Sequence, residues 1–191
     1  EAAGIDFEQV EFVEVWRQQE ILKGFWARGQ DPWKEAVDTA HSSGMEYWAG
    51  MRFNDLHGAI FSWPNAFSMN HPEYKLGEKC RSSRHRPGEP CPGLDFTISE
   101  VRAHRLALVE EVCTRYDVDG FEWDFLREPG HHFPDIESGR STLTDYTREA
   151  RNVLQRAGEG RGRPLGFGIR VPGTPEKCLQ IGLEVETWIR E

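Results

Sequence analysis

The stretch Asp117-Val118-Asp119-Gly120-Phe121-Glu122-Trp123-Asp124-Phe125-Leu126-Arg127 decides the fold and carries the candidate chemistry. Residues two apart on a strand share a face, so Gly120, Glu122 and Asp124 point one way and Phe121, Trp123 and Phe125 the other. An apolar set opposite an acidic set predicts a strand with one face packed on helices. Two neighbouring carboxylates on the inner face are costly unless paired, protonated or working. Working outward, a helix over Ser99–Tyr116 precedes the strand, with Val101, Leu108, Val109, Val112 and Tyr116 on one face. A helix over Thr144–Ala157 follows, with Gly158 as its stop, and then a strand over Leu165–Val171. Upstream, Asp31-Pro32 opens a helix that stops at Gly44, and Met45–Phe53 is a strand. Downstream, Thr174-Pro175 opens a last helix. Residues 1–30 fit either a strand and a helix or one amphipathic helix ending near Gly29.

Strands alternating with helices predict a parallel sheet. The helix-to-strand turns are short, whereas the connections Asn54–Ile98 and Arg127–Leu143 that follow strands are long. Long loops after strands are the plan of a (β/α)8 TIM barrel, whose active site lies at the C-terminal ends of the strands. A doubly wound sheet competes, but GEGRGRPLGFG precedes its strand, the wrong order for cradling a phosphate. A full barrel needs about 250 residues. The expectation for residues 1–191 is therefore a single partial barrel of three to four strands, with the 54–98 loop bringing Trp63, Phe67 or Tyr74 to Asp124 as a sugar platform.

Composition bounds the function. Of the 191 residues, 38% are apolar and 29% charged, which fits a globular chain and not a disordered one. No run approaches the roughly 18 apolar residues of a membrane span, so no membrane partner is expected. The net charge of −9 argues against a phosphate-backbone partner and hence against nucleic acid. The start EAAGIDFEQVEF carries no signal-peptide pattern, so secreted or periplasmic placement would require a leader already trimmed. Cys113 and Cys178 fall at apolar helical positions as buried thiols. Cys80 and Cys91 bracket a polar loop and leave three alternatives: a disulfide, two free thiols, or a zinc site with His85.

The candidate site follows from strand ends. Asp124 and Glu122 are the candidate catalytic carboxylates, with an ion pair to Arg52 or Arg170 as the structural alternative for Glu122. Arg52, Asn54 and Asp55 end their strand where hydroxyls can be bound, although Asn-Asp is also ordinary turn chemistry. Trp48 is a candidate sugar-stacking ring, and Arg170 is placed to orient a carboxylate. The loop after the second strand adds Arg127, His131 and His132 as substrate contacts. No HExxH, GxSxG, P-loop or paired CxxC pattern is present, and no cofactor or resident metal is expected.

AHSSGMEYWAGMRFND, NHPEYKLG, VRAHRLALVEEVCTRYDVDGFEWDFLREP and LGFGIRVPGT together resemble the glycosyl hydrolase-like, family-ten-type barrel proteins of bacteria, over about Asp31 to Gly173. Their catalytic region is similar to the α-amylase and related glycosidase barrels. That resemblance implies a nucleophile at Asp124, because Gly120-Phe121-Glu122-Trp123-Asp124 matches Gly-Phe-Arg-x-Asp with Glu122 in place of the Arg. It also implies a Glu acid/base at the end of the next strand, where this chain has Arg170-Val171-Pro172. The chitinase-type barrels carry Asp-Gly-x-Asp-x-Asp-x-Glu on the same strand, and here the last position is Leu126. The function expected is hydrolysis of O-glycosidic bonds in a poly- or oligosaccharide. The alternatives are a non-catalytic carbohydrate-binding barrel, or a metal-dependent hydrolase using Asp124, Asp55 and the His131-His132 loop.

Overall fold

The computed structural model describes residues 13–54, 66–79, 91–127 and 132–190. Three strands, β1 (Trp48–Arg52), β4 (Gly120–Asp124) and β5 (Gly166–Arg170), form a parallel sheet in the order β1-β4-β5. Two more, β2 (Lys75–Gly77) and β3 (Cys91–Leu94), pair antiparallel as a separate ribbon. The helices are α1 (Val13–Ala27), α2 (Pro32–Ser42), α3 (Ala66–Asn70), α4 (Ser99–Arg115), α5 (Ile136–Arg161), α6 (Pro175–Leu179) and α7 (Val185–Arg190).

The (β/α)8 barrel expected from the alternation is therefore corrected. Among the described residues β1 and β5 each pair with β4 alone, and the second sheet is antiparallel. Periodicity fixes the local β-α-β units, but closure depends on strand number, tilt and stagger together, which no local pattern encodes. The 54–98 connection is also more than a loop, since it holds α3, a 3-10 turn at Pro72–Tyr74 and the β2-β3 ribbon. Its strands escape notice because β2 is three residues long and β3 reads Cys-Pro-Gly-Leu, with no alternating pattern.

Helices α4 and α5 cover one face of the parallel sheet. Trp123 is fully buried there, stacked on Tyr146 of α5 at 5.1 Å and meeting Phe53 and Phe167 edge-on. Val101, Val109 and Cys113 of α4 complete this core with Leu143, Ala150 and Leu154 of α5. Burial pushes the Cys113 thiol up to about 11 and raises that of Cys178 as well, which suits inert core thiols. Cys91 is also buried, whereas Cys80 and His85 lie outside the described residues.

Helix ends follow capping chemistry. Asp31 accepts from the Trp33 and Lys34 amides, and Pro32 occupies the first turn. Helix α5 runs longer than Thr144–Ala157: Asp135 caps its start through the Ser138 amide, and Gly162 ends it at φ 70°. Gly158 is not a stop. It lies inside α5, where a Cβ would approach the Arg163 carbonyl to 2.8 Å, so the helix needs glycine for close backbone contact. The last helix divides into α6 and α7 around Gly182 at φ 85°.

The N-terminal end of the sheet is fastened by charge. Asp119 accepts from the Tyr47 amide at 2.8 Å, lies 2.8 Å from His41 Nε2 on α2, and accepts from Arg163 Nη1 at 2.8 Å. Arg163 also donates to Asp117 at 2.6 Å. Burial opposes ionisation of Asp119, but the Tyr47 and His41 hydrogen bonds and the Arg163 charge outweigh it and hold its carboxyl below the ordinary value.

Candidate active site

The face of the sheet turned away from α4 and α5 is built from three rows set by register. Trp48, Gly120 and Gly166 form the first, Gly50, Glu122 and Gly168 the second, and Arg52, Asp124 and Arg170 the third. Four of these nine positions are glycine, and three of them, Gly120, Gly166 and Gly168, make a floor for one side chain. A Cβ on Gly120 would stand 2.5 Å from the Trp48 indole, and one on Gly166 would stand 2.3 Å from it. At Gly168 the indole is 3.4 Å away and Glu122 Cγ 3.8 Å. The indole thus crosses from β1 over β4 to β5 with Glu122 beside it. Its Nε1 donates to Glu46 at 2.9 Å, and the residue remains 44% exposed.

At the C-terminal end of the same face, Asp124 Oδ1 accepts from the Leu126 amide at 2.8 Å and Oδ2 from Arg170 Nη1 at 3.3 Å. The Asp124 side chain is 19% exposed and that of Arg170 57%, so the carboxylate is held by a guanidinium that still faces outward. Arg52 is exposed in the same row, and Arg127 is exposed beyond the strand end. The structure therefore brings Trp48, Arg52, Glu122, Asp124 and Arg170 together on one face.

Other expected contacts lie elsewhere. Asn54 is 4% exposed, donates to the Leu94 carbonyl and accepts from the Leu94 amide. Its amide ties the end of β1 to β3, so Asn54 is corrected from substrate contact to scaffold. His132 is likewise corrected: it is 1% exposed, with its ring edge-on to Phe53 and Phe125 in the core. Phe67 lies flat on His104 of α4 at 3.8 Å, and Tyr74 stacks on His71. Neither is the platform expected over Asp124. Asp55, Trp63 and His131 lie outside the described residues. Among the described residues no cluster of three or more His, Cys, Asp or Glu side chains is placed to hold a metal ion, and no helix is long and apolar enough to cross a membrane.

A groove of about 1220 Å3 lies on the other side of the sheet, between α5, β5 and α7. Leu154, Leu165, Phe167, Ile169 and Trp188 line it, and neither Asp124 nor Glu122 reaches it. Arg148, Arg151, Glu159 and Arg163 add charge along its rim, so it is a mixed trough beside β5, apart from the carboxylates of the open face.

The glycine floor is the feature that residue-by-residue reading missed. Its signal is Gly at 120, 166 and 168, with a Trp at the matching position of the first strand. Reading it requires the strand register as well as the sequence.

No protein-family model matches this chain, and no curated protein matches it. Among solved structures it is similar to alpha-L-fucosidase isoenzyme 2 from Paenibacillus thiaminolyticus, at 15% identity and a TM-score of 0.36. The match covers 69% of this chain and 22% of that one. At that distance it carries no argument about this chain.

Proposed function

We propose that the open face of β1-β4-β5 binds a carbohydrate and that Asp124 is the carboxylate acting in hydrolysis of an O-glycosidic bond. One observation carries this: a carboxylate that accepts from Arg170 and from the Leu126 amide at a strand's C-terminal end shares a face with an exposed indole laid over glycines. An apolar ring of that kind suits the C–H face of a sugar, and the carboxylate suits the charge that develops at an anomeric carbon.

Glycosidases generally use two carboxyl groups, one protonating the leaving oxygen and one attacking or stabilising the anomeric carbon. Asp124, bonded to Arg170 and the Leu126 amide, fits the second role. Glu122 is one same-face step away, about 7 Å at Cα, and is the proton donor in this scheme. Arg170 acts as a positioning residue through its bond to Asp124.

A second function, carbohydrate binding without turnover, is favoured by one specific feature. β5 ends in Arg170, a residue that cannot donate a proton at the place where the α-amylase-like resemblance implies a Glu. Asp124→Asn, assayed for hydrolysis of a glycan panel and for binding by calorimetry, separates the two. Loss of hydrolysis with binding retained supports the hydrolase. Binding by the wild-type chain with no turnover of any glycan, abolished in Trp48→Ala, supports the binding protein. No binding by either chain overturns both.

A further inference from the structure

We propose that Glu46 is a positioning residue of this face, holding the Trp48 indole in the orientation that receives a stacked sugar; this rests on the carbohydrate function proposed above. Gly120, Gly166 and Gly168 support the ring from below, but glycines have no side chains to grip its edges. The orientation must be set elsewhere. Cζ3 is the ring atom nearest Gly168, and in an indole it lies opposite the carbon that carries Nε1. Nε1 thus points back toward the start of β1, where it donates to Glu46 Oε2 at 2.9 Å. The edge turned to the Glu122 row carries C–H groups, so the indole N–H is kept off that carboxylate.

Glu46 can do this because its backbone is fixed on both sides. The Met45 amide donates to the Ala40 carbonyl of α2 at 2.9 Å, and the Tyr47 amide donates to the Asp119 carboxylate at 2.8 Å. The Asp119 amide returns a bond to the Tyr47 carbonyl at 2.9 Å. The residue that holds the indole is therefore seated on the same charged fastening that ties α2 to the sheet. Its side chain is exposed, so one hydrogen bond there adds little to stability. Its effect is on where the ring lies. A ring free to turn about its Cβ–Cγ bond loses that freedom when a ligand stacks on it, whereas a ring already held has less to lose.

The test compares Glu46→Ala and Glu46→Gln with wild type in the full 191-residue chain, each checked for a nearly unchanged thermal midpoint. In proton–nitrogen correlation spectra the Trp48 indole signal is assigned by its loss in Trp48→Phe. In Glu46→Ala it should move and exchange faster with solvent, while the indole signals of the other tryptophans stay in place. Glu46→Gln keeps an acceptor and should restore it. Calorimetric titration with cellotriose, maltotriose and xylotriose reads the consequence. Whichever binds wild type should bind Glu46→Ala about three- to tenfold more weakly, the size of one net hydrogen bond, and Glu46→Gln nearly as tightly as wild type. An indole signal indifferent to Glu46→Ala overturns the positioning role and leaves carbohydrate binding intact. So does undiminished binding by Glu46→Ala where Trp48→Ala abolishes it. Absence of binding of all three sugars by wild type overturns the carbohydrate function, while the indole signal still decides whether Glu46 holds the ring.

Discussion

Asp124 and Arg170 are register partners on adjacent parallel strands, and their side chains meet at 3.3 Å on the open face of the sheet. The pair is partly exposed, so its contribution to stability is small, within about 1 kcal/mol. Its consequence is orientation. Arg170→Gln should leave the unfolding midpoint nearly unchanged and lower kcat by up to about a hundredfold through misplacement of Asp124, with a smaller change in KM. An equal fall in stability and activity would show that the pair only holds the fold.

The two faces of β4 should answer differently to substitution. Trp123→Ala removes a fully buried ring stacked on Tyr146 and should destabilise the protein by about 3–5 kcal/mol. Asp124→Asn keeps the shape and an acceptor for the Leu126 amide, so its effect should be about 1 kcal/mol or less while hydrolysis is lost. Urea titrations of the two variants beside the wild type measure the contrast.

Gly166→Ala should displace the indole. The added methyl would meet the Trp48 ring at 2.3 Å, and such overpacking costs about 1–3 kcal/mol. Carbohydrate binding should weaken in the same variant. The double variant Gly166→Ala/Trp48→Ala should recover the stability but not the binding, which thermal melts and calorimetry can separate.

Acid should loosen the other end of the sheet. The folded-state pKa of Asp119 is depressed, with Tyr47, His41 and Arg163 overcoming the effect of burial. Its contribution is thus present above the unfolded-state value, near 3.9, and is lost as pH falls through the lower folded value. In denaturant titrations across that range, Asp119→Asn should be less stable than wild type at neutral pH and approach it in acid. A constant difference at every pH would mean the Asp119 charge is irrelevant.

How far the fold could be read from the residues depended on the range of each signal. The two faces of β4 were legible because the period of two lies within five residues, and Asp31-Pro32 announced its helix because a cap is local. Gly158 misled, since a glycine that stops a helix and one that admits a backbone carbonyl look alike until Arg163 is in place. Asn54 looked like a loop contact because its partner, Leu94, lies forty residues away. The barrel expectation failed for a larger version of the same reason: strand closure is a property of the whole sheet, and among the described residues β1-β4-β5 ends at two edges. In the site, Asp124, Glu122 and Trp48 were named from position alone, while the floor beneath the indole emerged only once three strands were aligned.

That floor also ties the evolutionary freedom of distant positions together. The space above the first row is shared by residues 48, 120 and 166, and in this chain Trp48 takes all of it. In homologous chains the three positions should trade volume. A larger residue at 120 or 166 should accompany a smaller one at 48, and a tryptophan at 48 should forbid anything but glycine across from it. Covariation among these three columns would be the record of a single indole that lies across the width of the sheet.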